Sequence, residues 1–129
     1  MRVVHWLTTL ATAVGVVLAT PVIAQPYPNK PIRLIVPFGA GSASDILARI
    51  LSEPLAQALG QPIVIENKPG NNTTLGTEMV VQAAPDGYTI GLLTNSGLVA
   101  SPAGLTSGVR YDPAKDLSYI SLVASVSYV

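Results

Sequence analysis

The chain has 129 residues, seven Lys+Arg against seven Asp+Glu, one His, one Trp and no Cys, and this length allows one domain at most. The absence of a basic patch excludes proteins that track nucleic-acid phosphates. The absence of cysteine excludes disulfides, thiolate nucleophiles and thiolate metal sites.

The first 24 residues read as a secretory signal peptide. Met1 and Arg2 form a weakly basic start, residues 6–19 are apolar or small apart from three threonines, and Thr20-Pro21 breaks the run before Val22-Ile23-Ala24. That order of basic start, short apolar core and small-residue cleavage site marks an export signal cut after Ala24. The rival, a retained membrane anchor, has nearly enough apolar length, but Pro21 and the small residues favour cleavage. A single arginine precedes the core, which argues against twin-arginine export, and no cysteine follows for lipid attachment. Cleavage removes His5 and Trp6 and leaves six basic against seven acidic residues, a net charge of −1. A mature part without His or Cys cannot supply a Ser-His-Asp triad, a Cys-His pair or an ordinary zinc site. Carboxylate-only chemistry survives this exclusion and little else does; the expectation is no catalytic residue, no metal and no cofactor, with residues 25–129 as the folded part.

From Gln25 an extended lead-in rich in proline runs to Pro31, and Ile32–Val36 then reads as a short buried strand that Pro37 ends. A small-residue loop follows, and residues 44–59 show helical spacing. Ile46, Leu47, Ile50, Leu51, Leu55 and Ala58 make an apolar stripe, which leaves Asp45, Arg49, Ser52 and Glu53 on the opposite side. Pro54 is awkward inside this helix, and Gly60 is its expected C-cap. A second strand is predicted over residues 63–66. Pro69-Gly70 turns into a polar loop, a short helix covers residues 74–83, and Pro85-Asp86-Gly87 turns into a third strand over residues 89–93. Strands alternating with helices predict an α/β protein with a parallel sheet and right-handed crossovers. Ligands of such sheets sit beyond the carboxyl ends of the strands, here residues 38–45, 69–74 and 94–97. Beyond Gly97 the pattern weakens: residues 111–116 read as a loop and 120–126 as strand-like. The sequence stops at Val129 without a closing element, which leads us to expect a fragment.

The first of these loops carries the strongest local signal. Gly39 and Gly41 let the backbone come close to a ligand, and the following helix start offers free N–H groups and the positive end of its dipole to an anion. Ser42 and Asp45 fit a capping box, so Asp45 reads as structural. Glycine after a strand is also a common turn, and a capping box is often no more than a cap. A sharper rival is a dinucleotide-binding oxidoreductase half, because Gly39-x-Gly41-x-x-Ser44 nearly matches G-x-G-x-x-G and Glu66 ends the next strand. Ser at the third position, Pro37 before the loop and the export signal weigh against it. Ser42 lies in no Gly-x-Ser-x-Gly elbow and has no histidine to activate it.

Several segments in fixed order resemble Bug-type receptors, the extracytoplasmic solute receptors of tripartite tricarboxylate transporters. They are Tyr27-Pro28-Asn29-Lys30-Pro31-Ile32-Arg33-Leu34-Ile35-Val36-Pro37-Phe38, Gly41 with Asp45-Ile46-Leu47-Ala48-Arg49, and Leu59-Gly60-Gln61-Pro62 with Glu66-Asn67-Lys68-Pro69-Gly70. Ala83-Ala84-Pro85-Asp86-Gly87-Tyr88-Thr89, Tyr111-Asp112-Pro113 with Lys115-Asp116-Leu117, and Ser121-Leu122-Val123-Ala124 complete the set. The resemblance implies a type II periplasmic-binding-protein fold, three-layer with a parallel central sheet, of which only an incomplete first domain is present. It also implies a periplasmic, non-catalytic, monomeric receptor that captures a small carboxylate for membrane transporter subunits. The ligand classes are di- or tricarboxylates, acidic amino acids and aromatic acids. The ligand-binding positions carried over are Phe38, Gly41, Ser42, Ala43, Ser44 and Asp45 in the first loop, and Thr94, Asn95, Ser96 and Gly97 in the third. The first and second loops depart from the family in having hydroxyl and amide side chains where glycine and proline are usual. A non-functional truncated gene product is the remaining alternative.

Overall fold

The computed structural model describes residues 26–105 and 108–125. The predicted signal segment lies outside the described residues. The three strands are β1 (Ile32–Val36), β2 (Ile63–Asn67) and β3 (Thr89–Gly91), and the helices are α1 (Ala43–Leu59), α2 (Thr74–Val81) and α3 (Pro113–Asp116). A 3-10 turn at Asn71–Thr73 leads into α2, and a π-helical segment occupies Ser96–Leu105.

All pairings are parallel and the spatial order is β2-β1-β3. Leu34 therefore sits level with Ile65 on one side and Ile90 on the other. Alternation along the strands gives the sheet two different faces. On one face Leu34 and Val36 pack with Ala48 of α1, joined by Ile63, Ile65, Ile90, Leu92 and Phe38. On the other face lie Ile35, Pro37 and Gly91, covered by α2: Gly76 is seated on Pro37, and Val80 approaches Gly91. The helices thus flank the sheet in three layers. Both crossovers can be right-handed only in this arrangement, because the chain steps from β1 one way to β2 and then back past β1 to β3. Ile32, Ile35 and Val36 are at most 1% exposed, and full burial of each is worth about 1.5–3 kcal/mol.

The helical stripe of α1 is a correction. Ile46 is 52% and Ile50 65% exposed, whereas Ala48 and Asp45 are buried. The helix turns toward the sheet the side that lets its backbone come closest, where the small Ala48 fits over Leu34 and Val36. Asp45 follows it inward because polar partners wait there. The helix runs through Pro54 without ending, and Gly60 caps it at φ 68 with its N–H donating to Ala56 O.

Two further expectations differ from the fold. The loop expected over residues 111–116 contains the one-turn helix α3, capped by Asp112, whose Oδ1 accepts from Ala114 N–H at 3.0 Å. Residues 120–125 form no strand, and Ile120 and Leu122 are more than 80% exposed. A strand is stable only when paired, and none lies beside this segment among the described residues. Val126, the last residue of that expectation, lies outside them.

Gly76 offers a test of the α2 seat. A Cβ there would lie 2.7 Å from Pro37 Cβ and 3.0 Å from Pro37 Cα. Gly→Ala inside a helix ordinarily stabilises by about 1 kcal/mol. Here Gly76→Ala is expected to destabilise instead, and Gly76→Val by about 1–3 kcal/mol through overpacking, as read by urea unfolding.

Candidate functional site

The strand order reverses at β1, so the crevice beyond the carboxyl ends of β1 and β3 is the topological switch point of the sheet. Three loops leave the sheet at this edge. The first, between β1 and α1, is held by Asp45, which is 2% exposed. Its Oδ2 accepts from Gly41 N–H at 2.8 Å and from Arg49 Nε at 2.9 Å, and its Oδ1 accepts from Asn67 Nδ2 at 3.0 Å. The same Asn67 amide donates to Phe38 O at 3.0 Å. Loop, helix and the end of β2 therefore meet on one carboxylate. The hydrogen bond from Arg49 first, then those from Gly41 and Asn67, lower the Asp45 pKa from 3.8 to about 2.

Ser42 caps α1 as expected, its Oγ accepting from Asp45 N–H at 3.2 Å. Asp45 does not close the reciprocal half of the box at Ser42. It reaches one residue further back to Gly41, whose φ of 81 turns the amide toward it, and the Ser42 N–H donates to Gly39 O at 3.2 Å. The amides of Gly41, Ser42 and Asp45 are thus bonded within the loop. Those of Ala43 and Ser44, the first of the helix, have no carbonyl one turn back to accept from them. They are therefore the amides of this loop left without an internal partner. Phe38, which contributes the carbonyl that Asn67 holds, packs with the core beneath.

The third loop contains Thr94, Asn95, Ser96 and Gly97. The Thr94 carbonyl accepts from the N–H groups of Gly97 at 3.1 Å and Leu98 at 3.0 Å, which folds the loop back tightly. Gly97 is buried against α2, where a Cβ would lie 2.5 Å from Thr77 Oγ1 and 3.0 Å from Thr73 Oγ1. From below, Tyr111 OH donates to Gly97 O at 2.6 Å. Asn95 is exposed and Ser96 half-buried. The structure therefore brings the first- and third-loop candidates to one edge.

It also adds Thr73, in the second loop, to their neighbourhood. Asn71, Asn72 and Thr73 all have positive φ, at 45, 49 and 71. In the sequence this stretch shows only as a polar, amide-rich loop in place of glycine.

Glu66, the acid a dinucleotide site would need, is committed elsewhere. It accepts a bidentate pair from Arg33 Nε at 2.7 Å and a second guanidinium nitrogen at 3.0 Å. Lys68 Nζ lies 3.4 Å from it. The Arg33 hydrogen bond chiefly holds its pKa down at about 2, against 4.5 ordinarily. Among the described residues there is no group of three His, Asp or Glu placed to hold a metal, and no helix long and apolar enough to cross a membrane.

Comparison with known proteins agrees with this geometry. Residues 47–129 match the profile of the tripartite tricarboxylate transporter family receptor. A UPF0065 protein of Bordetella bronchiseptica is 42% identical over 92% of this chain and 36% of its own length. Protein BugT of Bordetella pertussis is 37% identical over 95% of this chain and 39% of its own. Among solved structures, a periplasmic transporter superposes with a TM-score of 0.65 at 43% identity, covering 70% of this chain and 30% of that one. MatC of Rhodopseudomonas palustris with bound malate gives 0.65 at 37% identity over the same shares. A second Rhodopseudomonas palustris protein, with adipate, gives 0.59 at 31% identity, covering 69% of this chain and 29% of that one. The chain spans little more than a third of the length of these curated relatives.

The lowered carboxylates set an acid limit on stability. A group whose pKa is depressed on folding stabilises the fold above its unfolded pKa and loses that contribution as pH falls through the folded value. Unfolding free energy is expected to fall between about pH 4 and pH 2, the window set by Asp45 and Glu66. Asp45→Asn should flatten part of that slope and lower stability at neutral pH, followed by chemical denaturation across the pH range. The chain belongs to the tripartite tricarboxylate transporter receptor family, as a Bug-type member with the α/β architecture of periplasmic binding proteins.

Proposed function

We propose that this chain is the N-terminal part of a periplasmic solute-binding receptor that captures a small carboxylate and delivers it to the membrane subunits of a tripartite transporter. It performs no catalysis. The observation that carries this reading is the pair of uncommitted amides, Ala43 and Ser44, at the start of a 17-residue helix at the switch point of the sheet. Such an N-terminus favours an anion through both its N–H groups and its dipole. The one acid beside it, Asp45, is drawn inward and matched by Arg49, Gly41 and Asn67, so it offers the ligand little repulsion.

The same chemistry suits the malate and adipate held by the solved relatives, which supports a carboxylate as the ligand class. The hydroxyls of Ser42 and Ser44 and the third-loop residues Thr94, Asn95, Ser96 and Gly97 complete this wall of the cleft. Capture is completed by the opposing wall, in the part of the receptor that the relatives have beyond this chain's span. Residues 1–24 act as the cleaved export signal, and the receptor works as a monomer.

Ala43 allows a clean test. It is the first helical residue, where proline is well tolerated, and Ser42 is extended at φ −68 and ψ 162, as a residue before proline prefers. Ala43→Pro therefore deletes one amide donor while leaving the helix intact. A hydrogen bond to a charged group contributes about 1.5–3 kcal/mol. Calorimetric titration of the full-length receptor with malate and adipate is expected to show affinity reduced about ten- to hundredfold, with an unchanged melting temperature. Unchanged affinity in that variant would remove these amides from the site, and indifference of the wild type to every organic acid would end the receptor reading.

A further inference from the structure

The second and third loops contain five threonine or serine hydroxyls at their junction with α2, and two of them stand apart. Thr74 Oγ1 donates to Asn71 O at 2.7 Å, and Thr77 Oγ1 donates to Thr73 O at 3.0 Å. Ser96 also has a partner. Thr73 Oγ1 and Thr94 Oγ1, by contrast, are buried with no hydrogen-bond partner. Thr73 as a whole is 7% exposed. Both residues adjoin the Gly97 turn: Thr73 Oγ1 is 3.0 Å from where a Gly97 Cβ would stand, and the Thr94 carbonyl receives the Gly97 N–H.

Folding does not account for a threonine at position 73. Its φ of 71 is a costly conformation for a β-branched residue, which glycine or asparagine would adopt more easily. Its hydroxyl earns nothing from the protein either, since valine would fill the same volume without burying an unpaired oxygen. A residue that breaks two local rules at once, at the start of α2, points to a requirement outside the fold.

We propose that Thr73 and Thr94 form a hydroxyl-reading subsite, which takes a hydroxyl substituent on the carbon chain of the bound acid and makes hydroxylated carboxylic acids the preferred ligands. This rests on the carboxylate reading above and adds to it a contact with the ligand's substituent. A threonine hydroxyl donates one hydrogen bond and accepts others, so two of them can satisfy both the O–H and the lone pairs of a ligand alcohol. Neither oxygen is hydrogen-bonded to a charged side chain, so the pair is matched to a neutral polar group, while the carboxylate is left to the Ala43 and Ser44 amides. Both oxygens are buried, so ligand entry includes displacement of the Gly97 turn that packs against Thr73.

The test compares malate with succinate, which differ by one hydroxyl, on the full-length receptor by titration calorimetry. A site that pairs buried polar groups with a substrate hydroxyl rejects the analogue that lacks it, and the wild type is expected to prefer malate by tenfold or more. Thr73→Val and Thr94→Val should each bring the ratio toward one by weakening malate and sparing succinate. Thr73→Ser, which keeps the hydroxyl, should retain the preference. Thr73→Gly should raise the melting temperature and lose the preference together, an outcome that damage to the fold cannot produce. A malate-to-succinate ratio near one in the wild type, or one unaltered by both valine substitutions, overturns the subsite and leaves carboxylate capture standing. Failure of every organic acid to bind overturns both.

Discussion

The Asp45 carboxylate is the constraint on which the rest of this edge depends. Three segments distant in sequence or local geometry each send it one donor: the Gly41 amide from the loop, the Arg49 guanidinium from the next turn of α1, and the Asn67 amide from the end of β2. A buried carboxylate is costly unless it is fully hydrogen-bonded. The fold is therefore held to an arrangement in which all three donors are present. Because Asn67 also holds Phe38 O, the exit of β1 is fixed at the same point. The loop's left-handed Gly41 and its capped helix start follow from this one set of bonds.

The sheet order then gives the node its significance. A step from β1 outward to β2 and back past β1 to β3 places α1 and α2 on opposite faces. Two connecting segments diverge at the end of β1 and leave a crevice between them. The Lys68 N–H continues the ladder to Val36 O at 2.8 Å, and the Leu92 N–H continues it to Ile35 O at 2.9 Å. All three loops accordingly leave the sheet at nearly one level. Gly76 seats α2 against Pro37 at the exit of β1, and Gly97 against Thr73 and Thr77 brings the second and third loops into contact with each other. Small residues at those points let backbone, rather than side chains, form the wall.

Much of this was legible in the sequence because it is written in local rules. Alternating strand and helix patterns, Ser42 before a helix and Gly60 after it each act over a few residues, and the structure follows them. The facing of α1 was not legible. A hydrophobic stripe predicts the buried face only when the neighbour it packs on has room for large side chains, and here the approach of helix to sheet favours Ala48. Asp45 was rightly taken as structural but wrongly placed with the solvent-facing residues, since its partner Asn67 lies 22 positions away and no local pattern connects them. The second-loop Thr73 escaped notice for a similar reason. Its peculiarity is a missing partner and a positive φ, neither of which a residue type displays.

On the proposed carboxylate capture, the arrangement accounts for how a chain with no net charge could attract an anion. An arginine or lysine in the cleft would supply attraction at long range, but it would carry its own desolvation cost on closure. Amides at a helix start are already oriented and partly dehydrated by the fold, and they lose little on binding. The danger in such a design is the capping acid, which puts a full negative charge within one turn of the site. Here Arg49 answers that charge from the outer side, and the Gly41 and Asn67 donors saturate its oxygens. With a pKa near 2, the Asp45 carboxylate remains ionised, and its three donors remain engaged, at neutral and mildly acid pH. On that proposal the loop's internal bonds persist where the ligand is charged, and the helix start keeps its positive end for it.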